Sequence, residues 1–228
     1  MLVNTKIQNT SANLMTNEKE ISYQITNTYT TVNSLTAKTK NVWFVCHGIG
    51  FLSRYFAAYF EVLNPEENYI IAPQASSKYY LKNEYKHVGA SWLTKENTQK
   101  EIENVMANLN AIYAAEQIPT NVNFYILGFS QGVSVAMRWV ARYKIPCHKL
   151  IIYAGSIPHE LTKEDFNFID HNTTKVINIV GTKDEYLTEK RMQAELSKMQ
   201  NLFGDNYFFN TFEGTHQLSK NVLEELSN

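Results

Sequence analysis

FYILGFSQGVSVAMRWV, residues 124–140, is the stretch of sequence that decides the fold. It begins with an apolar run typical of a buried strand, and its second half has the composition of a helix. Between them lies Gly128-Phe129-Ser130-Gln131-Gly132, a G-x-S-x-G pattern. A serine in a sharp turn between strand and helix is lifted clear of the sheet, and the helix N-terminus behind it favours a developing negative charge. The pattern therefore predicts a nucleophilic serine, although a glycine-rich turn with an incidental serine would have the same five letters.

Length and composition are those of one globular domain. The chain has 228 residues, of which 44% are hydrophobic and 19% charged, and its formal net charge is −1. This charge gives no electrostatic basis for binding nucleic acid or an anionic membrane surface. We expect residues 1–18 to be a disordered polar leader and residues 19–228 to fold as one domain. The sequence contains no signal-like or membrane-spanning apolar run, so the expected location is cytoplasmic, without integral membrane association.

Strands and helices alternate along most of the chain. Apolar runs predict buried strands at 42–46, 69–72, 124–127, 149–155 and 175–181, with a last strand at 207–212. This alternation predicts an α/β fold with a mostly parallel, doubly wound sheet. Residues 21–25 alternate apolar and polar side chains, as a half-buried strand does, and we expect 29–35 to be the partner strand in an N-terminal antiparallel hairpin. The connection 156–173 is too short to form a large cap domain.

An acid and a base follow two of the later strands. In a doubly wound sheet, functional residues lie beyond the carboxyl ends of the strands. Asp184 follows one predicted strand and His216 follows the last one, in the order Ser, Asp, His that is usual for a serine in such an elbow. We predict that His216 is the general base and that Asp184 orients it. The alternatives are a surface or helix-capping Asp184, with Glu185 as the acid, and an exposed His216 at the start of the last helix.

A second glycine-containing loop ends the first parallel strand. This loop is His47-Gly48-Ile49-Gly50. In sites of this kind, one backbone N–H that stabilises the oxyanion comes from such a loop, and another comes from the residue after the nucleophile. We therefore predict the backbone N–H groups of Ile49 and Gln131 as oxyanion donors. His47 precedes the serine in the chain, so we expect it to be structural.

Together these motifs resemble one known family. His47-Gly48-Ile49-Gly50, Ala72-Pro73, the serine pentapeptide, Gly181-Thr182-Lys183-Asp184 and Gly214-Thr215-His216 are similar to motifs of the phospholipase/carboxylesterase family of α/β-hydrolases. The family includes acyl-protein thioesterases and small bacterial carboxylesterases, and the resemblance covers residues 40–228. It implies an α/β-hydrolase fold and a cofactor-free serine hydrolase of esters or thioesters. It also implies that Ser130, Asp184 and His216 form a triad and that Ile49 and Gln131 are the oxyanion donors.

The chain departs from the thioesterase members of that family at Phe51. Those members usually have Asp after H-G-x-G. The stretch 88–93 also differs from the thioesterase segment and is more similar to that of small bacterial esterases. Phe51 and Phe129 flank the oxyanion region in sequence, and we predict that they bind substrate. The long connection 74–95 is the other candidate for a pocket wall, through the aromatic residues Tyr79, Tyr80 and Trp92. Alternatively, it is a surface loop whose aromatic side chains only pack it down.

These features predict a carboxylesterase that cleaves short-chain esters through an acyl-serine intermediate. The expected partner is a small-molecule ester, and neither a cofactor nor a metal is expected. Cys46 and Cys147 lack metal-ligand spacing, although they could pair as a single disulfide. A lysophospholipase or acyl-protein thioesterase is one alternative, and a non-catalytic α/β-hydrolase-fold binding protein is another.

Overall fold

A computed structural model describes residues 17–228. Within these residues the main sheet has seven strands in the order β1-β3-β2-β6-β7-β8-β9, and β4 and β5 form a separate two-stranded sheet. The strands are β1 (Tyr29–Val32), β2 (Asn41–Cys46), β3 (Asn68–Pro73), β4 (Ser77–Tyr80), β5 (Val88–Ser91), β6 (Asn123–Phe129), β7 (Lys149–Tyr153), β8 (Lys175–Gly181) and β9 (Phe208–Phe212). The helices are α1 (Ser53–Ala57), α2 (Thr98–Glu116), α3 (Gln131–Tyr143), α4 (Glu189–Phe203) and α5 (Lys220–Ser227), with 3₁₀ turns at Ala58–Val62 and Lys163–Phe166.

The main sheet is parallel except at one edge. Strands β2, β3, β6, β7, β8 and β9 run parallel to one another, and β1 pairs antiparallel with β3. The predicted α/β fold with a mostly parallel sheet and an antiparallel strand pair is confirmed. Between β7 and β8 the chain forms only a 3₁₀ turn, in agreement with the expected lack of a large cap domain.

Two hydrophobic layers cover the sheet because side chains alternate along each buried strand. Val42 and Phe44 of β2 point into a layer built with α2, α3 and α4. Trp43 and Val45 point to the opposite face, which packs against α1, the following 3₁₀ turn and α5. Every residue of β2 and β3 is buried. A strand covered on both faces has a continuous apolar sequence, which is why the central strands were predictable from apolar runs alone.

The antiparallel partner of β1 differs from the one predicted. Residues 21–25 form no strand, and Ile21, Tyr23 and Ile25 are exposed. The hydrogen-bonding edge of β1 is taken by β3, with Tyr29 opposite Pro73. The predicted 21–25/29–35 hairpin is therefore wrong as to its first strand. Most of the predicted leader, residues 1–16, lies outside the described residues, and residues 17 and 18 are exposed.

The 74–95 connection is more regular than predicted. It contains the β4–β5 hairpin, with Ser77 opposite Ser91 and Tyr80 opposite Val88.

The two cysteines are free and buried, so the alternative of a disulfide is wrong. Cys46 lies at the carboxyl end of β2, whereas Cys147 precedes β7, so they are at opposite ends of the parallel strands. Burial raises the pKa of the Cys147 thiol to about 12.

Candidate active site

The elbow between β6 and α3 holds Ser130 in an unusual backbone conformation. Its φ is 53° and its ψ is −118°, in a region that non-glycine residues rarely occupy. The Ser130 N–H donates to the Tyr153 carbonyl at 2.9 Å, so the neighbouring strand β7 maintains the turn. Strain of this kind persists only where the surroundings over-determine it, and it clusters at functional sites.

Close backbone packing explains the last glycine of the pentapeptide. A Cβ atom added at Gly132 would lie 2.0 Å from the Cys46 carbonyl oxygen. The backbone of the first turn of α3 therefore packs directly against the end of β2. The strand end that continues into the loop 47–50 is thereby brought beside Ser130. A glycine at this position is required by that approach.

Three side chains from three strand ends form one hydrogen-bonded chain. His216 Nε2 lies 2.9 Å from Ser130 Oγ. His216 Nδ1 lies 2.7 Å from Asp184 Oδ2. With the proton on Nδ1, the imidazole donates to the carboxylate and can accept the serine proton at Nε2. The structure therefore brings together the three residues that the sequence analysis selected.

Local hydrogen bonds position the acid. The Asp184 side chain is fully buried, with 0% exposure. Its Oδ1 accepts the Tyr186 N–H at 2.9 Å, which leaves Oδ2 for His216. The loop itself is tied to the loop that follows β9, because the Lys183 N–H donates to the Gly214 carbonyl at 2.8 Å. Glu185, the alternative acid, is exposed.

Aromatic rings enclose His216. The Phe129 ring centroid lies 5.1 Å from that of the imidazole, and the Tyr186 centroid lies 4.8 Å from it at a steep interplanar angle. The His216 side chain is 16% exposed, so one edge of the ring still reaches solvent. These contacts hold the imidazole between Ser130 and Asp184 without closing it off.

His47 has a structural environment, as predicted. It is fully buried, with Nδ1 2.8 Å from the Gly48 carbonyl oxygen and Nε2 accepting the Ala75 N–H at 3.2 Å. Burial lowers its pKa to about 4. Both ring nitrogens are therefore occupied by hydrogen bonds to backbone groups. This neutral imidazole fastens the start of the 47–50 loop.

The loop after β2 and the first residue of α3 both border the space in front of Ser130. Gln131 is the first residue of α3, and the first N–H groups of a helix have no partner within it. The loop 47–50 is braced from behind by β5, because the Gly50 N–H donates to the Ala90 carbonyl at 2.8 Å. Ile49 lies in this loop and its side chain is exposed.

The Gln131 side chain connects the elbow to the chain just after β5. Its amide donates to the Leu93 carbonyl at 2.7 Å and accepts the Trp92 N–H at 2.9 Å. The Trp92 indole N–H in turn donates to the His47 carbonyl at 2.7 Å. The residues that end the β4–β5 hairpin thus hold the elbow and the 47–50 loop at a set separation.

A cavity of about 500 Å³ contains Ser130 and His216. Both Phe51 and Phe129 line it. The remaining lining residues are Gly48, Ile49, Gln131, Ser134, Ala154, Gly155, Ser156, Tyr186, Leu187 and Arg191. Ala154, Gly155 and Ser156 follow β7, Tyr186 and Leu187 lie in the loop before α4, and Arg191 lies in the first turn of α4. No motif marked these residues in the sequence as part of the site. Tyr186 carried a faint signal, since it lies two residues after Asp184.

Three predicted substrate-binding residues are not brought to this cavity. Trp92 is only 2% exposed because it packs in the core against His47, with their ring centroids 4.7 Å apart. Tyr79 and Tyr80 lie on β4 and are 40% and 54% exposed. The hairpin 77–91 supports the 47–50 loop instead of lining the cavity. Its prediction as the pocket wall is wrong for these three side chains.

Neither a metal site nor a membrane helix is found in the part of the chain that the structure describes. Among residues 17–228, no group of three or more His, Cys, Asp or Glu side chains is arranged to hold a metal ion. None of the helices described in that range is both long enough and apolar enough to cross a bilayer.

Comparison with known protein families matches residues 27–228 to the family described as Phospholipase/Carboxylesterase. The chain belongs to the phospholipase/carboxylesterase family. The resemblance found in the sequence motifs is thereby confirmed, and with it the α/β-hydrolase fold. Membership indicates a hydrolase of the esterase or thioesterase type. No curated protein matches the chain.

Solved structures of this phospholipase/carboxylesterase type share the fold. Zea mays acyl-protein thioesterase 2 has a TM-score of 0.64 at 14% identity, over 89% of this chain and 96% of that one. Esterase PE8 has a TM-score of 0.62 at 19% identity, over 89% and 97%. A phospholipase/carboxylesterase from Dyadobacter fermentans DSM 18053 has a TM-score of 0.60 at 21% identity, over 90% and 96%. At these identities the likeness extends to the fold alone.

Proposed function

We propose that this family member is a serine carboxylesterase that cleaves short-chain carboxylic esters through an acyl-Ser130 intermediate. One observation carries the proposal: the unbroken chain from Ser130 Oγ through His216 to Asp184, with contacts of 2.9 Å and 2.7 Å. A serine hydroxyl is a weak nucleophile unless an adjacent base removes its proton. The three side chains form that arrangement, and the serine and histidine face a common cavity.

Acylation begins when Ser130 Oγ attacks the ester carbonyl carbon and His216 Nε2 takes the hydroxyl proton. Asp184 keeps the imidazole in the correct tautomer and stabilises the imidazolium that forms. The tetrahedral intermediate collapses, His216 passes the proton to the departing alkoxide, and the alcohol leaves. Water then repeats the sequence on the acyl-serine, with His216 as the base, and releases the carboxylic acid.

The negative charge on the tetrahedral intermediate is assigned to the backbone N–H groups of Ile49 and Gln131. Gln131 contributes the free N–H of a helix N-terminus, where the aligned peptide dipoles also favour negative charge. Ile49 follows Gly48. Gly48 packs against the Phe129 ring, so a residue with a side chain would have little space at position 48. Preorganised donors of this kind typically contribute about 3 kcal/mol each to lowering the barrier.

The cavity lining favours short acyl groups. Phe51 and Phe129 supply an apolar surface next to Ser130. Beyond them, small or polar residues such as Ser134, Gly155 and Ser156 interrupt the apolar lining, and Ile49 and Leu187 contribute separate apolar side chains. A long acyl chain would need a continuous apolar channel, whereas a short one needs only the two phenylalanines. Lysophospholipids and acylated proteins are the alternative substrates. They are included in the tests because the chain shares its fold with Zea mays acyl-protein thioesterase 2.

The test uses nitrophenyl esters of increasing acyl length with the wild-type protein and Ser130→Ala. We expect highest kcat/KM for acetate to butyrate and loss of turnover in the alanine variant. A fluorophosphonate probe should label wild type at Ser130 and leave the variant unlabelled. Full activity in Ser130→Ala would show that the wrong nucleophile is assigned.

The same experiments separate the alternatives. An optimum at long acyl chains, or efficient cleavage of a lysophospholipid, would select the lysophospholipase or thioesterase function. A folded wild-type protein that neither turns over any ester nor reacts with the probe would select a non-catalytic binding protein. Circular dichroism on each sample establishes that the fold is intact.

A further inference from the structure

Arg191 places a permanent positive charge at the edge of the cavity that contains Ser130. It lies in the first turn of α4 and is among the cavity-lining residues. No other lysine or arginine lines the cavity in the described part of the chain. Its guanidinium donates to the Tyr186 carbonyl and to Ser156 Oγ, both at 2.8 Å. The side chain is therefore fixed in place, and it is also exposed to solvent.

Arg191 forms no salt bridge with a carboxylate among residues 17–228, and its guanidinium donates to Tyr186 and Ser156 instead. Both of its hydrogen-bond acceptors are neutral oxygens. Arg138 provides the contrast, because its Nε lies 2.6 Å from Glu160 Oε1 in a salt bridge. A guanidinium has five N–H donors, and Arg191 uses one on each terminal nitrogen for the protein. The Nε–H and one N–H on each terminal nitrogen have no acceptor among the described residues, at a side chain that lines the cavity.

Helix electrostatics make this position costly for a cation. The N-terminal turn of a helix carries a partial positive charge, so cations are favoured at the opposite end. Arg191 is nonetheless in the first turn of α4. The partial positive charge of that helix end and the charge of the guanidinium lie at the same edge of the cavity, which Leu187 also lines. Both favour an anionic ligand at that edge, although Glu189 lies in the same first turn of α4.

The positive charge is linked to the catalytic histidine through one residue. Arg191 holds the Tyr186 carbonyl, and the Tyr186 ring packs against His216. The apolar surface formed by Phe51 and Phe129 also borders the cavity. A substrate with its carbonyl at Ser130 thus meets both an apolar surface and a cation within one enclosure.

We propose that the cavity selects esters or thioesters that carry a carboxylate, which Arg191 binds through its free N–H groups. This inference rests on the proposed esterase function. Guanidinium and carboxylate match in geometry, since two parallel N–H donors can meet two oxygens. The carboxylate can belong to the acyl part, as in a half-ester of a dicarboxylic acid, or to the alcohol part. The two sources are distinguished by separate pairs of substrates.

The acyl pair is the nitrophenyl monoester of glutaric acid and nitrophenyl pentanoate, which have acyl chains of equal carbon number. The alcohol pair is 4-(butyryloxy)phenylacetate and 4-methylphenyl butyrate. For each pair the quantity measured is the ratio of kcat/KM for the anionic ester to that for the neutral ester. Comparing this ratio between protein variants cancels the different intrinsic reactivity of the two esters.

We expect Arg191→Gln to lower the ratio about tenfold in one of the pairs, which corresponds to about 1.4 kcal/mol. Arg191→Lys should retain much of the ratio because it keeps the charge. Lys190→Gln is the matched control, since this neighbouring cation does not line the cavity, and it should leave the ratio unchanged. Raising the salt concentration should lower the wild-type ratio and have little effect on Arg191→Gln.

An equal loss on neutral and anionic esters in Arg191→Gln would overturn the proposal, because it would mean that the residue acts only by positioning Tyr186. An unchanged ratio in both pairs would also overturn it. Either result leaves the proposed esterase function standing, provided that the neutral esters are turned over in a Ser130-dependent manner. If the neutral esters are not turned over at all, the esterase function itself has failed.

Discussion

Replacing Asp184 by asparagine should reverse the tautomer of His216 while leaving the fold intact. Asp184 Oδ1 accepts the Tyr186 N–H at 2.9 Å, and this backbone donor requires an oxygen at that position. An asparagine amide must therefore place its oxygen toward Tyr186 and its NH₂ group toward His216 Nδ1. Nδ1 then has to accept, so the imidazole proton moves to Nε2, where it points at Ser130 Oγ 2.9 Å away. A protonated Nε2 cannot take the serine proton.

The size of the effect follows from the lost general base. General-base catalysis typically contributes 10²- to 10⁴-fold, and the same tautomer reversal in a serine protease lowers kcat by about 10⁴. We expect kcat of Asp184→Asn to fall roughly 10³- to 10⁴-fold, or about 4 to 5.5 kcal/mol in the barrier. KM should change little, because Asp184 does not line the cavity. Both hydrogen bonds of the side chain have a counterpart in asparagine, so the melting temperature should stay close to that of wild type.

The assay is steady-state hydrolysis of nitrophenyl butyrate, with thermal unfolding measured on the same preparations. Glu185→Gln is the control, because it removes the neighbouring exposed carboxylate without touching His216. Asp184→Asn retaining more than a tenth of wild-type kcat would refute the argument from hydrogen-bond geometry. Loss of activity in Glu185→Gln instead would identify Glu185 as the acid.

Three other perturbations test the supporting structure. Burial lowers the pKa of His47 to about 4 in the folded protein, whereas a histidine in the unfolded chain has a pKa near 6.5. Between these values only the unfolded chain takes up the proton. The free energy of unfolding, measured with urea, should therefore be constant above pH 6.5 and fall by up to about 3 kcal/mol as the pH is lowered to 4. Gly132→Ala should lower the free energy of unfolding by about 3 kcal/mol or more, because its Cβ would lie 2.0 Å from the Cys46 carbonyl oxygen. Phe51→Ala should raise KM for nitrophenyl butyrate about fivefold or more, because it removes apolar cavity wall. Tyr80→Ala, on the exposed hairpin, should change this KM less than twofold. A larger effect for Tyr80→Ala than for Phe51→Ala would show that the hairpin binds substrate.

The chain illustrates which parts of a site are visible in sequence. The elbow was predictable because a buried strand, a turn and a helix follow each other within residues 124–140, so the signal is local. Asp184 and His216 were selected by their positions after predicted strands. In a parallel sheet the carboxyl ends of adjacent strands meet at one edge, so placement along the chain translates into proximity. The structure supplies the contact distances that this inference lacked.

The aromatic residues of the 74–95 connection show where that approach fails. Composition marked Tyr79, Tyr80 and Trp92 as candidates for a pocket wall, but composition does not say toward which side a loop residue faces. Trp92 points into the core, where its indole N–H donates to the His47 carbonyl, 45 positions earlier in the chain. Tyr80 is exposed on β4, which pairs only with β5 in the described chain and contributes no residue to the cavity at Ser130. Both outcomes depend on partners distant in sequence.

The sequence by itself determined the class of fold, the parallel central strands and the identity of the serine, histidine and carboxylate candidates, because periodicity, apolar runs and chain order are local or ordinal properties. Only the tertiary structure decided that β1 pairs with β3, that the β4–β5 hairpin braces the 47–50 loop, and that Arg191 reaches the cavity. These features arise from contacts between residues distant in the sequence, and no local pattern records which strand pairs with which or toward which site a side chain points.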